Sequence, residues 1–277
     1  MTTELTYAAE DADAFWSDRV KETDDLAAVL YYGMPRAFNE AYSEWEVNSL
    51  MNAMGDIRGA RVLDLGCGNG RLAVPLSRAG ARVTAVDNAS GMLAECRARI
   101  AAAGTIETVK FHHMSASEVD LPEGSFDVAV CVGLLEHLPP EQQKRAVASV
   151  VEATSESGSA FFTASNPNSI LLKRWQGESQ SSNRGDQAMK GFHINLISVE
   201  WLREELAAHS MTCEVVSSNA FLAFALHAYR GCPDTEEMRE SWDELFTLMG
   251  RFDTSLREKG DVDELVAELY VLCARHN

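Results

Sequence analysis

Basic residues are scarce in this chain. Twenty-four lysines and arginines face 42 aspartates and glutamates, a formal net charge of −18. No run of basic side chains interrupts that excess. A grip on nucleic-acid phosphates or on an anionic bilayer depends on such residues, so neither duplex nucleic acid nor a membrane surface is expected as a partner. No apolar stretch is long enough to span a bilayer. The segment 1–13 is acidic and lacks the apolar core of a secretory signal. None of the six cysteines (Cys67, Cys96, Cys131, Cys213, Cys232 and Cys273) forms a C-x-x-C pair, which argues against a zinc site or thioredoxin-type chemistry. Several sit in apolar runs, where a thiol acts as a small hydrophobe, and a reducing cytoplasm is the expected compartment. Internal repeats and low-complexity segments are absent.

What is present is material for a core. The chain has 277 residues, 46% of them hydrophobic, enough for one large α/β domain or two small ones. The most informative stretch is Arg61-Val62-Leu63-Asp64-Leu65-Gly66-Cys67-Gly68-Asn69-Gly70. Its apolar run predicts a buried parallel strand, and three alternating glycines follow at once. The residues after them, 71–79, have helical composition. In such a strand–turn–helix, glycine accepts a sharp turn and lets a ligand approach the backbone, while the helix start offers free amides. A second strand-like run, 82–87, ends in Asp87. That acid lies about twenty residues past the glycines, the spacing at which a carboxylate meets ribose hydroxyls in a doubly wound nucleotide site.

Around this stretch the chain alternates. Residues 1–57 read as helical, with one helix starting at Asp24-Asp25 and running through Leu26, Val29 and Leu30, and another over 36–54. Further strands are expected over 108–113, 126–132, 158–163 and 212–217. Helices are expected from Ser90 (as cap) to about 103, over 141–154, and from a Ser198 cap to about 209. The alternation implies a parallel sheet with right-handed crossovers. A polar irregular stretch covers 164–195, and such a long loop is commonly functional. Helices are expected again at 221–229 and 236–258. Tyr31, Tyr32, Tyr42 and Trp45 make the N-terminal segment aromatic, which fits either packing between cap and core or a lid whose Tyr31 and Tyr32 touch a ligand.

The motif Asp64-x-Gly66-x-Gly68-x-Gly70, with Asp87 one strand later, resembles the first motif of class I S-adenosylmethionine-dependent methyltransferases. Within that family the core is similar to ubiquinone-type O-methyltransferases and to sugar and polyketide methyltransferases of natural-product pathways. The resemblance covers about 58–218. It implies an α/β fold: a doubly wound, mostly parallel seven-stranded sheet with an N-terminal helical cap (1–57), a donor-binding core (58–218), and a helical insertion plus a final antiparallel strand (219–277). It implies S-adenosylmethionine as cofactor, bound by Asp64 at the amino-acid end, by Gly66, Gly68 and Gly70 along the backbone, and by Asp87 at the ribose. Asn88 is a candidate for the adenine face. Where the family often has an acid before a small residue, this chain has Ser115 and Ala116, a weaker pair for the adenine. Val132-Gly133-Leu134-Leu135-Glu136-His137 resembles the family's fourth motif, so Val132 and Leu134 are expected to flank the donor.

His137 there, and His193 in the segment after the fifth strand, are the candidate general bases. Local backbone bonding is the competing role for His137. His112 and His113 read as structural. Acceptor contacts are expected from Tyr31, Tyr32, Asn166 and His193. The implied activity is methyl transfer to a small organic acceptor, O- or N-methylation foremost, in an enzyme that could self-associate. Two alternatives stand beside it. Nucleic-acid base methylation is disfavoured, because the Asn/Asp-Pro-Pro-aromatic motif is missing after the fourth strand. A fold that binds the donor without methylating remains open.

Overall fold

The computed structural model describes residues 9–22, 26–30, 34–166, 195–219, 235–258 and 269–277. In chain order the elements are α1 (Ala9–Glu22), α2 (Arg36–Met54), β1 (Arg61–Leu65), α3 (Ala73–Arg78), β2 (Arg82–Asp87), α4 (Ser90–Ala102), β3 (Val109–His113), β4 (Phe126–Cys131), α5 (Pro140–Ala153), β5 (Thr154–Ser165), α6 (Val199–Ala208), β6 (Met211–Asn219), α7 (Glu236–Glu258) and β7 (Leu269–His276). The seven strands form one sheet, ordered β3-β2-β1-β4-β5-β7-β6, and β7 alone runs antiparallel to its neighbours. This is the doubly wound, mostly parallel sheet that the alternation implied.

The sheet is buried on both faces because its strands are apolar at consecutive positions. Val62, Val83, Ala85, Val130 and Phe161 pack in one cluster that includes Leu50 of α2, Leu76 of α3 and Ile100 of α4. Leu63, Leu65, Ala129, Cys131 and Phe162 belong to the opposite cluster, with Val147 and Val150 of α5 and Leu202 of α6. Side chains on a strand alternate faces, so Asp64 shares the face of Val62, the one that α2, α3 and α4 cover.

Three local expectations need correction. The helix expected from Asp24 is a single turn over the described residues 26–30, closed by the Val29 and Leu30 amides on the Leu26 carbonyl. With Gly33 and Pro35 so near, too few residues remain to propagate a helix. The regular helix lies upstream, as α1. Ser90 does not cap α4; Ala89 is the N-cap and makes no side-chain cap bond. Capping comes from α1 instead. The Asp13 carboxylate accepts from the Ser90 amide (2.9 Å) and the Ser17 hydroxyl oxygen accepts from the Gly91 amide (2.8 Å). Finally, β5 begins at Thr154, not 158; it pairs once at Phe126, then shifts register to Val128↔Ser159. The Ser198 cap is as expected, accepting from the Trp201 amide at 3.0 Å. The helix expected over 221–229 lies outside the described residues.

Candidate functional site

At the carboxyl ends of β1 and β2 the chain opens into the glycine turn. Leu65 pairs with Val86, and the amides of Gly66 and Cys67 both donate to the Val86 carbonyl, at 2.8 and 3.0 Å. Gly66, Gly68 and Gly70 all have positive φ (+75°, +51° and +85°). All three are also approached closely; a Cβ on Gly70 would stand 2.8 Å from Cys96 Sγ. A Cβ on Gly66 would stand 2.9 Å from Leu134 Cδ2, and one on Gly68 would stand 3.1 Å from Val29 Cγ1. Both backbone shape and space therefore demand glycine.

Asp87 closes the turn. One carboxylate oxygen accepts from the Gly68 amide and the other from the Ala89 amide, each at 2.8 Å. The carboxylate thus bridges the glycine turn to the start of α4. Burial raises its pKa, against the pull of the Ala89, Gly68 and Asn88 amides and of His113.

Asp64 is 2% exposed, and its Oδ2 atom has no hydrogen-bond partner among the described residues. Burial pushes its pKa up to about 7; the Arg71 guanidinium opposes the shift and the Asp87 charge adds to it. Arg71, the residue after the third glycine, forms a buried ion pair of 2.5 Å with Glu46 of α2. The Tyr42 hydroxyl donates to the other Glu46 oxygen at 3.3 Å. A carboxyl whose ionised form burial disfavours, beside bare backbone, suits a cationic ligand group that would favour its charged form.

The loop after β4 forms the other wall. Val132 is buried, and the Gly133 amide donates to Thr163 Oγ1 at 2.9 Å. Leu134 lies on Gly66, and Leu135–His137 is a 3-10 turn. His137 is half-buried, with its ring 5.0 Å from the Trp16 ring in an edge arrangement. Its backbone amide donates to the Leu134 carbonyl. Asn166 is buried just past the end of β5. Asn195 is tied to this wall. Its amide donates to the Glu136 carbonyl at 2.6 Å and its side chain to the Leu138 carbonyl at 3.0 Å.

At the β3 end, the Met114 amide donates to the Asp87 carbonyl, and the His113 ring donates to the Asn88 carbonyl at 2.7 Å. His113 is therefore structural, as expected. Ser115 bonds the Ser117 hydroxyl at 3.0 Å, and Ala116 is packed in the core. The fold thus brings Asp64, the three glycines, Asp87 and Leu134 together, with Asn88 and Ser115 alongside. Tyr31, Tyr32 and His193 lie outside the described residues.

Several neighbours escaped the reading of the sequence. Val29, Trp16, Ala28 and Val20 form a small apolar cluster with Met92 of α4 and its N-cap Ala89. The N-terminal segment therefore lies across the glycine turn and the start of α4. The adjacent Phe15 and Trp16 in an acidic helix were the available signal. Arg71, directly after the glycines, was the signal for the Glu46 pair, but its partner is distant in sequence.

Residues 62–158, about a third of the chain, match the family model of a methyltransferase domain. A ubiquinone biosynthesis O-methyltransferase of Aromatoleum aromaticum is 35% identical over 113 residues, 40% of this chain and 47% of that protein. The chain spans about half the length of the curated relatives it matches. Among solved structures, the magnesium protoporphyrin IX methyltransferase of Synechocystis with bound S-adenosylhomocysteine superposes with a TM-score of 0.62 at 13% identity, over 97% of this chain and 98% of that one. The 4+2 cyclase SpnF gives 0.61 at 18% identity, over 98% and 97%. At these identities the likeness is one of fold.

Proposed function

We propose that this chain, which belongs to the class I methyltransferase family through its central domain, transfers a methyl group from S-adenosylmethionine to a small organic acceptor. The observation that carries the reading is the Asp64 carboxyl, buried and with one oxygen unsatisfied among the described residues, beside a glycine turn in which a Cβ would crowd Leu134 at Gly66, Val29 at Gly68 and Cys96 at Gly70. An ammonium at Asp64 would satisfy an atom that nothing among the described residues satisfies, and would favour the carboxylate. The residues present therefore fit the donor.

When bound, S-adenosylmethionine supplies an electrophilic methyl on a cationic sulfur. Asp64 would hold its amino-acid end. The Asp87 carboxylate, already fixed by the Gly68 and Ala89 amides, would accept from the ribose hydroxyls through its remaining lone pairs. Asn88, Ser115 and Ala116 are assigned to the adenine, with Ser115 a weaker acceptor than a carboxylate. Val132 and Leu134 would flank the sulfur. The N-terminal segment, residues 1–57 as a cap on the core 58–218, would keep water out, and segment 219–277 completes the domain. Alignment and exclusion of water supply much of the acceleration.

His137 is assigned as the base that takes the proton from an acceptor hydroxyl or amine. Its ring is half-buried and lies 5.0 Å from the Trp16 ring, on the loop that carries Leu134 against the glycine turn. His193 is the second candidate, and Tyr31, Tyr32 and Asn166 are assigned to the acceptor. The acidic balance favours a small molecule over nucleic acid, and no described helix is long and apolar enough to cross a membrane.

Incubation with S-adenosylmethionine and a panel of phenols, sugars and amines tests the reading by product mass. A gain of one methylene unit supports transfer, and His137→Ala should then slow turnover at saturating donor while leaving donor affinity intact. Failure to bind S-adenosylhomocysteine would sink it. The likeness to a cyclase supports a second reading, in which the donor is bound but not spent; an isomeric product of unchanged mass would favour that one.

A further inference from the structure

The loop after β4 carries an acid with no part in holding the donor. Glu136 is half-buried, and its carboxylate makes no hydrogen bond and no ion pair among the described residues. Its Oε1 atom lies 4.0 Å from where a Cβ on Gly133 would stand, so the side chain folds back along the loop. Burial raises the pKa of the Cys131 thiol, and the Glu136 and Asp64 charges add to it. The two acids therefore act on one buried group at the β4 tip. Neighbouring residues on the same loop meet the site directly. Leu134 lies on Gly66, and the His137 ring meets Trp16 edge-on at 5.0 Å. The backbone under Glu136 and His137 is pinned. Gln143 Nε2 donates to the Leu135 carbonyl at 2.9 Å. The Asn195 amide and side chain donate to the carbonyls of Glu136 and Leu138, at 2.6 and 3.0 Å. Such fixed placement is what a group that touches a substrate needs. Arg19 is the cation beside Trp16. Its Nε donates to the Ala28 carbonyl, and its guanidinium lies 5.8 Å from the Phe15 and Trp16 ring centroids.

Resting on the methyltransferase reading, we propose that Glu136 selects the acceptor, and that the acceptor is an amine whose N–H donates to the Glu136 carboxylate. Charge flow in the reaction argues for nitrogen. When a neutral amine attacks, its lone pair forms the N–C bond. The S–C bond breaks with its electron pair going to sulfur, so positive charge moves from sulfur to nitrogen. A carboxylate fixed beside that nitrogen stabilises the transition state more than the ground state. The N–H proton then passes to the His137 imidazole, on the adjacent residue, and from there to water. A hydroxyl acceptor reverses the electrostatics. It attacks as a developing anion, which Glu136 repels, so the same side chain favours one class of acceptor and rejects the other.

Acceptors that carry both groups test the assignment by internal competition. Tyramine and 3-hydroxybenzylamine each offer an amine and a phenol on one frame. They are incubated with the chain and saturating S-adenosylmethionine, and product NMR locates the methyl. The wild-type chain should give N-methyl over O-methyl product by roughly tenfold or more, the worth of a charge-assisted hydrogen bond. Glu136→Gln keeps the shape of the side chain and removes its charge. It should collapse that ratio while the Kd for S-adenosylhomocysteine, read by calorimetry, stays unchanged. Glu136→Asp should restore part of the ratio. A general loss of folded protein lowers both products together and leaves the ratio alone, so the ratio reports acceptor choice. Dominant O-methylation by the wild type overturns the proposal, and so does a ratio that Glu136→Gln leaves intact. Bound S-adenosylhomocysteine with no N-methyl product from either compound overturns it as well. If S-adenosylhomocysteine does not bind, the underlying reading fails with it.

Discussion

Asp64 is the residue whose chemistry is most exposed to test. Its folded pKa, about 7, lies above the ordinary 3.8, so the folded chain holds this proton more tightly than the unfolded one. The stability it contributes is full below about pH 4 and is lost as pH rises through 7. Ligand-free protein should accordingly lose stability across that window, and Asp64→Asn should flatten the slope in chemical denaturation. Donor affinity should run the other way. An ammonium prefers the ionised carboxylate, so the Kd for S-adenosylhomocysteine should fall by up to about tenfold per unit as pH rises toward 7, then level. Asp64→Asn should remove that acid limb; an unchanged limb in the variant would assign it elsewhere. Gly66→Ala is the steric counterpart. At φ +75° an alanine carries about 1–2 kcal/mol of backbone strain, and its Cβ meets Leu134. Melting temperature should drop, and S-adenosylhomocysteine binding should fall by more than about tenfold, because that face of the cradle must move.

At the scale of elements, α1 and α4 form a joint across the site. Gly91 is where they touch. A Cβ there would stand 2.8 Å from the Ser17 Cα, a backbone atom that cannot swing aside. Alanine is the better helix former by about 1 kcal/mol. Gly91→Ala should nonetheless speed hydrogen exchange at the α1 amides and at the α4 amides of residues 90 and 91, since α1 must lift. Slower exchange would mean that propensity outweighs the clash. Asp13 adds a pH signature to the same joint. Burial alone would raise its pKa, but the Ser90 amide and the Ser17 and Ser90 hydroxyls outweigh it and hold the carboxyl below its ordinary value. Its capping is therefore present above about pH 4 and lost as pH falls through the lowered value. The α1 joint should loosen in acid, and Asp13→Asn should make that loosening pH-independent, read by the same exchange experiment.

At the scale of the whole molecule, the proposed donor site is assembled from parts distant in sequence: α1, the turn at 26–30, β1, β2, and the loop after β4. A ligand that bridges them should stabilise the entire fold. At a hundred times its Kd, S-adenosylhomocysteine should add about 2.7 kcal/mol and raise the melting temperature by several degrees. No rise in scanning calorimetry would mean that the cleft does not take it.

The strands, the glycine turn and the two acids were legible in the sequence because they depend on local order. Consecutive apolar residues make a strand buried on both faces, alternating glycines permit positive φ, and a fixed count of residues carries Asp87 to the neighbouring strand tip. Helices α2 and α7, the Ser198 cap and the closing β7 followed for the same reason, or from family likeness. Partnerships across long stretches of chain were not legible. Nothing near Ser90 announces that its amide is held by Asp13, nor does Arg71 name Glu46, because those contacts form only when helices separated in sequence pack on one sheet. Sequence by itself determined the cradle's chemistry, since it resides in a single stretch of backbone. Tertiary structure alone decided how protonated Asp64 is and what covers the turn, because burial and opposing charges arise only once distant elements close over them.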